Sequence, residues 1–460
     1  MLCIDFILKK GVRLLKPNLS PIQKKGNRYY LTVNKKFWFS HFISFSWLLF
    51  SIYLSIPWVK DLSDVVTTPV AIFIISGIAY IPGYMSTFLV ISLLLDKQPN
   101  FKNEFPSDSV TVLVAAYNEE GAIFNTLKYI SVQDYTGEIN VIVINNNSTD
   151  GTDREVMRAK KELNSNITLL HQPKPGKFHA LNLGLEYVKT PYVITLDADT
   201  LIHPSAIRYL VSRIKSSPSD VSAVAGSMLV RNSRETFWTK IQEWDYFLGI
   251  ASIKRLQGLY QGTLVAQGAF SLYKTDCVKE VKGWPDAIGE DIVLTWRLLQ
   301  KQWKVYFEPL AVAFTDAPTT FGHFAKQRSR WARGMVEGLI EIKPWQQPQV
   351  YTKYLTGINL MMVYLDLIYT LCWIPGLILA FFGINIIVGP MTLLVLPLTF
   401  ISYSILYFYQ KNYVFRNLNL RIRNNRIGFL FFLLCYQMIM SPVSLYGYIQ
   451  EFFKLKRVWE

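Results

Sequence analysis

Cysteine is scarce in this chain: four in 460 residues (Cys3, Cys277, Cys372, Cys435), with no C-x-x-C pair. That scatter excludes a structural zinc site and a disulfide framework. Charge is sparse as well. Charged residues make up 18% of the chain, below the soluble average of about 25%, while 51% are apolar and 15% aromatic. A wholly soluble protein does not fit this balance; a soluble domain joined to membrane segments does. Acidic residues concentrate between roughly 100 and 345, a stretch long enough for one full α/β domain. There is no internal repeat and no long low-complexity tract.

What charge there is leans basic, with a net +15. Many of these residues flank apolar runs: Lys9, Lys10, Arg13, Lys16, Lys24 and Lys25 at one end, Lys411, Arg416, Arg421, Arg423 and Arg426 at the other. That placement reads as positive-inside anchoring at membrane lipids rather than as a nucleic-acid surface. Residues 1–37 form a basic cytosolic segment. Within it, 1–16 are amphipathic without a signal-peptide apolar run or cleavage site, which predicts an interfacial helix.

Apolar runs at about 38–58 and 69–95 are each long enough to cross a hydrocarbon core of about 30 Å, and together predict a transmembrane hairpin over 38–95. The basic N-terminus then places the following domain, 96–322, in the cytosol, in a multi-pass cell-membrane protein. An amphipathic stretch at 323–345 comes next. The region 346–460 carries apolar runs at about 355–383, 387–409 and 427–449. The first contains Asp366 and Pro375-Gly376. Three crossings leave the tail Lys454, Lys456, Arg457 outside; two crossings and an interfacial helix keep it inside, which positive-inside bias prefers.

From Val110 the texture changes. Residues 110–116, 141–144, 192–196 and 221–225 read as buried strands. Helical stretches at 121–132, 152–163, 178–188 and 204–216 separate them. Alternation of this kind predicts an α/β domain with a mostly parallel sheet. Polar motifs sit just after the strands, where such sheets bind ligands.

Asp197-x-Asp199 ends a strongly apolar strand. Two carboxylates at i and i+2 can both reach one hard cation, and oxygen ligands suit Mg²⁺ or Mn²⁺; an Asp-rich helix cap has the same pattern. Glu290-Asp291 opens an amphipathic helix, where acidic residues also suit the dipole. Either can serve as a general base, Asp291 by preference. Lys174-Pro175-Gly176-Lys177 can touch phosphates at a helix start. Gln327, Arg330 and Trp331 share one side of a helix. Arginine suits diphosphate oxygens and an indole face suits a sugar ring, although head-group anchoring uses the same residues. Gln267-Gly268-Ala269-Phe270-Ser271 fits either a close-approach loop near an acceptor or a strand with a glycine bulge.

Taken together the motifs resemble the processive, membrane-embedded family 2 glycosyltransferases, the group of cellulose, chitin, hyaluronan and poly-N-acetylglucosamine synthases. The matching positions are Tyr117-Asn118-Glu119, Asn147 to Thr152, Lys177, Ala180, Asn182, Asp197-Ala198-Asp199, Gly289-Glu290-Asp291 with Thr295 to Leu298, Pro318 and Gln327 to Gly334. They cover about 110–340. The layout looks closest to the poly-N-acetylglucosamine branch.

The resemblance implies a GT-A (nucleotide-diphospho-sugar transferase) domain inserted between transmembrane helices, acting as an inverting hexosyltransferase. It implies a UDP-sugar donor, Mg²⁺ or Mn²⁺, a polysaccharide or lipid acceptor, and allows an accessory export subunit. By resemblance, Tyr117, Asn118, Glu119, Asn146, Asp150, Lys177, Asp197 and Asp199 face the donor, and Asp197 and Asp199 the metal. Asp291 and Glu290 are catalytic, and Gln327, Arg330 and Trp331 clamp acceptor and diphosphate. The family often has paired Asp after the second strand, for nucleotide base and ribose. Here stand Asn145-Asn146, which can hydrogen-bond a uracil edge but supply no negative charge. Alternatives are single transfer to a membrane lipid or polyprenyl phosphate, and a non-enzymatic transporter or scaffold.

Overall fold

The computed structural model describes residues 31–389, 392 and 395–455. The interfacial helix expected over 1–16 and the tail residues Lys456 and Arg457 lie outside these.

The apolar runs form one eight-stranded sheet: β1 (Val110–Ala116), β2 (Ile139–Asn145), β3 (Asn166–His171), β4 (Tyr192–Asp197), β5 (Leu201–Ile202), β6 (Val221–Val230), β7 (Phe270–Lys274) and β8 (Lys304–Thr315), in the order β3-β2-β1-β4-β7-β6-β8-β5. β1 pairs in parallel with β2 and β4, β2 with β3, and β6 with β8. β7 runs antiparallel to β4 and β6, and β5 to β8. The sheet is thus mixed, where the sequence pattern predicts a mostly parallel one. A parallel β7 would need a crossover back to the starting end of the sheet. The chain instead returns at the end where β4 finishes, and the Asp197 N–H donates to Ala269 O at 3.2 Å. That reversal sets the 264–269 loop beside the Asp-x-Asp turn.

The longer described helices are α1 (Val33–Leu54), α2 (Thr68–Leu95), α3 (Ile123–Ser131), α4 (Thr152–Glu162), α5 (Lys177–Glu186), α6 (Ala206–Ser216), α7 (Phe237–Trp244), α8 (Ala251–Leu259), α9 (Glu290–Gln300), α10 (Phe321–Glu341), α11 (Val350–Phe381), α12 (Val395–Tyr409) and α13 (Arg426–Phe452), with short ones at Ile56–Ser63 and Thr275–Glu280. Strand side chains alternate between two cores. Val110, Val112, Val114, Val141 and Val143 face one; Leu113, Ile142 and Ile144 face the other. α3, α4 and α6 cover the first face, and α5, α8 and α9 chiefly the second. Both faces are buried, which is why these strands read as unbroken apolar runs.

Four described helices are long and apolar enough to cross a membrane: α1, α2, α11 and α13. α12 extends through a π-helical turn, Gln410–Phe415. In α11 another π turn, Tyr369–Trp373, precedes Pro375 and absorbs the missing backbone donor. Asp366 is buried in the same helix and accepts from Ser441 (2.7 Å) and Tyr448 (2.8 Å) of α13.

The spans and the sheet domain share their cores. Phe37 of α1 and Phe88 of α2 pack on Tyr260, with ring centroids 5.3 and 5.5 Å away, and Ser92 meets the Tyr260 hydroxyl at 2.8 Å. Arg255 on α8 is ion-paired with Asp96, immediately after α2, both nearly fully buried, and its guanidinium lies 3.2 Å from the Tyr409 ring centroid of α12. Helix α13 packs on α10 at Gly447, where a Cβ would come within 2.5 Å of Ser329 O.

Removing one partner of a buried ion pair leaves the other uncompensated. Asp96→Leu is expected to lower stability by about 3–5 kcal/mol, with most of the loss recovered in Asp96→Leu/Arg255→Met. Thermal unfolding of the detergent-solubilised proteins measures both.

Candidate active site

The loops after β1 and β2 are zipped together. The Asn118 N–H donates to Ser148 Oγ (2.9 Å), the Thr149 N–H to Asn118 Oδ1 (2.8 Å), the Glu119 N–H to Thr152 Oγ1 (2.8 Å) and the Glu120 N–H to Asp150 Oδ2 (3.1 Å). Asn118 and Asn147 sit at φ 54° and 64°, in the left-handed region that asparagine tolerates better than most residues. The closed loops leave Tyr117 exposed and turn Glu119 toward the end of β4. Burial, and then Asp199, Asp197 and Asp150, push the Glu119 carboxyl up to about 7.

Asn146 does not present its amide to the cleft. Its Nδ2 donates to Gln172 O (3.1 Å) and Lys174 O (2.6 Å), and its Oδ1 accepts from the Gly176 N–H (2.8 Å). Asn145 is similarly engaged, with Asp153 at 2.6 Å and the Ser148 N–H at 2.8 Å. The pair therefore moors the loop ahead of α5. A buried amide fits because it offers a donor and an acceptor to backbone groups that a carboxylate could only half satisfy. Gly176, at φ +130°, takes a conformation that disfavours other residues.

That loop delivers Lys177, the first residue of α5. Its ammonium is ion-paired with Asp197 and lies 3.8 Å from Glu290 Oε1. Burial opposes its charge, but Asp197, Glu290 and Asp291 more than offset that and hold it protonated. Asp199 stands next on the turn. Burial, and then the neighbouring Asp197, raise its carboxyl above the usual range. Among the described residues no three acidic, histidine or cysteine side chains form a closed metal cage.

Glu290 and Asp291 open α9. Burial, with Lys177 opposing and Asp291 adding, raises Glu290 to about 7. Asp291 Oδ2 accepts from the Gly268 N–H (3.0 Å) and Oδ1 from the Ile292 N–H (2.8 Å). The close-approach alternative for 267–271 describes Gly268, where a Cβ would lie 3.0 Å from Lys177 Nζ; β7 begins two residues later. Under this loop lies Lys254, bonded to Val265 O and Gln267 Oε1. Burial pushes it down to about 7, with Asp291 opposing.

On α10, Gln327 is half-buried and Arg330 exposed, while Trp331 is 36% exposed. Arg330 lies near enough to Glu290 to favour its charged form. Arg328, one of the two spacer positions in Q-x-x-R-W, is buried. It pairs with Asp245 (2.8 Å), which also accepts from Tyr436 of α13 (2.6 Å), and its guanidinium lies 4.1 Å from the Trp331 ring centroid. Sequence reasoning missed Arg328, Asp245 and Lys254. Only the Arg328 position carried a signal, an arginine inside the motif.

A family model described as "Glycosyltransferase like family 2" matches residues 106–334. The poly-beta-1,6-N-acetyl-D-glucosamine synthase of Staphylococcus aureus (strain MSSA476) is 32% identical over 307 residues, covering 63% of this chain and 73% of that protein. This chain is a family 2 glycosyltransferase. The synthase of the same name from Staphylococcus epidermidis is 30% identical over 349 residues, covering 75% of this chain and 81% of that one. Among solved structures, the Pyrobaculum calidifontis mannosyltransferase in complex with GDP-Man and Mn²⁺ superposes with TM-score 0.56 at 18% identity, over 83% of this chain and 98% of that one. It shows the same fold, GT-A. Membership makes the protein an enzyme and removes the transporter or scaffold alternative.

If Asn146 moors the loop, an aspartate there loses both donor bonds to the carbonyls of Gln172 and Lys174. Asn146→Asp is expected to cost this glycosyltransferase about 1–3 kcal/mol, read as a lower melting temperature. An unchanged melting temperature would remove the mooring role.

Proposed function

We propose that the enzyme transfers a sugar of the N-acetylglucosamine type from a UDP-sugar to a growing β-linked polysaccharide at the cytosolic face of the membrane. The observation that carries this reading is the identity of 32% and 30% to two poly-β-1,6-N-acetylglucosamine synthases, over 73% and 81% of their lengths. Single transfer to a lipid remains the competing outcome of the test below.

The residues distribute the work. Asp291 takes the proton from the acceptor hydroxyl as that oxygen attacks the anomeric carbon, and the bond to the diphosphate breaks on the opposite side, which inverts the configuration. Two backbone N–H bonds orient the carboxylate and leave its remaining lone pairs for the acceptor. Lys177 and Arg330 offer cationic contacts to the diphosphate, and the Trp331 indole offers the acceptor sugar a stacking face. Tyr117, Asn118, Glu119 and Asp150 line the donor side. Asp197 and Asp199 are the residues that would hold Mg²⁺ or Mn²⁺, which when bound neutralises charge on the departing diphosphate. The crowding of Glu119, Asp197 and Asp199, with Glu119 raised to about 7, fits a cation.

The hairpin puts the sheet domain on the same side as the basic N-terminal segment, which supports a cytosolic domain by positive-inside bias. α1 begins and α2 ends at Tyr260, so both return to the sheet domain. α13 is tied to the domain at both ends: its cap Asn425 bonds Lys240 O (2.8 Å) and Glu243 (2.6 Å), and Glu451 pairs with Arg333 (3.0 Å). Both contacts on one side keep Lys454 with the catalytic domain, which supports reading α13 as a helix lying along the membrane face.

Purified enzyme given UDP-N-acetylglucosamine and Mn²⁺ is expected to make a long polymer, sized by gel filtration; a mono-glycosylated lipid as sole product would overturn processivity. Asp291→Asn is expected to keep donor binding while transfer falls by roughly 10²-fold or more, whereas Asp199→Ala weakens Mn²⁺-dependent donor binding; equal loss of binding in both would reverse the assignment. The proton on Glu119 must leave when a cation arrives. Mn²⁺-supported donor binding, followed by calorimetry, should therefore strengthen as pH rises through about 7.

A further inference from the structure

Helix α9 opens on Glu290 and Asp291, yet its cap is Gly289, which has no side chain to hold the turn. The neighbouring helix supplies the hold. One turn beyond Trp331 on α10, Gly334 lies against Gly289 so closely that a Cβ on either would come within 2.7 or 2.8 Å of the other's Cα. A turn further, Glu337 Oε2 accepts from the Ile288 N–H (2.6 Å) and the Gly289 N–H (3.1 Å). Glu337 is 8% exposed. Gly338 packs on Ile292 and Trp296, and Glu341 accepts from Arg297 Nε at 2.6 Å. Positions 330–331, 334, 337–338 and 341 recur every three or four residues, so they form one stripe along α10. The stripe that bears Arg330 and Trp331 at one end grips the base-bearing turn at the other.

We propose that Glu337 is a positioning residue for sugar transfer: its carboxylate fixes the backbone turn under Glu290 and Asp291, and so sets where Asp291 stands relative to an acceptor held at Trp331. The proposal rests on the reading of Asp291 as the base. Asp291 is oriented by the N–H groups of Gly268 and Ile292, which fix the carboxylate relative to its loop. Glu337 fixes the backbone that carries it. Hydrogen bonds to an ionised carboxylate are short and strong, and both donors converge on one oxygen. On the donor side, Tyr117, Asn118, Glu119 and Asp150 stand on the loops after β1 and β2, and Lys177, although 3.8 Å from Glu290, is held independently by Asp197. Loss of Glu337 should therefore disturb the chemical step and spare donor binding. A misplacement of about 1 Å in a reacting group can cost 10²-fold in rate.

The test compares Glu337→Ala, Glu337→Gln and Asp291→Asn in the full chain, with UDP release from UDP-N-acetylglucosamine as the rate. Glu337→Ala is expected to lower kcat about tenfold or more while the donor KM stays within about twofold. Glu337→Gln keeps an oxygen able to accept both N–H groups and should restore kcat to within about threefold of the wild-type chain. A residue that only stabilised the fold would move melting temperature, kcat and KM together. Full kcat in Glu337→Ala, or parallel losses in kcat and KM, overturns the proposal. Should Glu337→Ala fail to fold, Glu337→Asp takes its place: its carboxylate stops one methylene short, the same kcat loss is expected, and full activity refutes the role. Full activity in Asp291→Asn overturns the base reading; an inactive Asp291→Asn beside a fully active Glu337→Ala overturns the Glu337 proposal alone.

Discussion

A single buried ammonium holds the site together. Lys177 contacts Asp197 at the end of β4 and, at 3.8 Å, Glu290 at the start of α9. Without a cation between them, two acidic turns from distant parts of the chain would repel one another across a dry cleft. Everything around Lys177 serves to deliver it. Asn146 moors the loop before it, Gly176 turns the chain, and Gly268 comes close because it lacks a side chain.

The same economy of contacts extends to the membrane side. α10 lies between the sheet domain and α13. It touches α9 through Gly334 and Glu337, and α13 through Ser329 and Arg333. Arg328 links the Trp331 ring to Asp245 and to Tyr436 on α13. Helix α10, with Arg330 and Trp331 on it, is therefore held by both the turn before α9 and α13.

Much of the fold was legible. The runs 110–116, 141–144, 192–196 and 221–225 all lie within strands, because strands buried on both faces are apolar at nearly every position. The amphipathic stretch expected over 323–345 is α10, Phe321–Glu341. Less legible were β7 and its direction. A five-residue strand, Phe270–Lys274, carries no periodic signal long enough to reveal which way it pairs. The site was legible as a set of residue types but not as a set of contacts. Asn146 stands where the resembled family often has an aspartate, and its amide is engaged with the loop at Gln172, Lys174 and Gly176. Lys254 and Glu337 bear no motif, since their roles are defined by backbone groups of other segments.

The sequence by itself determined the membrane and soluble parts, the α/β class, and the acidic, basic and aromatic residues available for sugar transfer, because hydrophobic periodicity and residue chemistry are local properties. Only the tertiary structure decided which carboxylate meets Lys177, which loop the Asn146 amide moors, how β7 runs, and that Glu337 reaches across to the turn before Asp291. Those contacts join residues far apart in the chain. Their geometry follows from how whole helices and strands pack, which no short window of sequence contains.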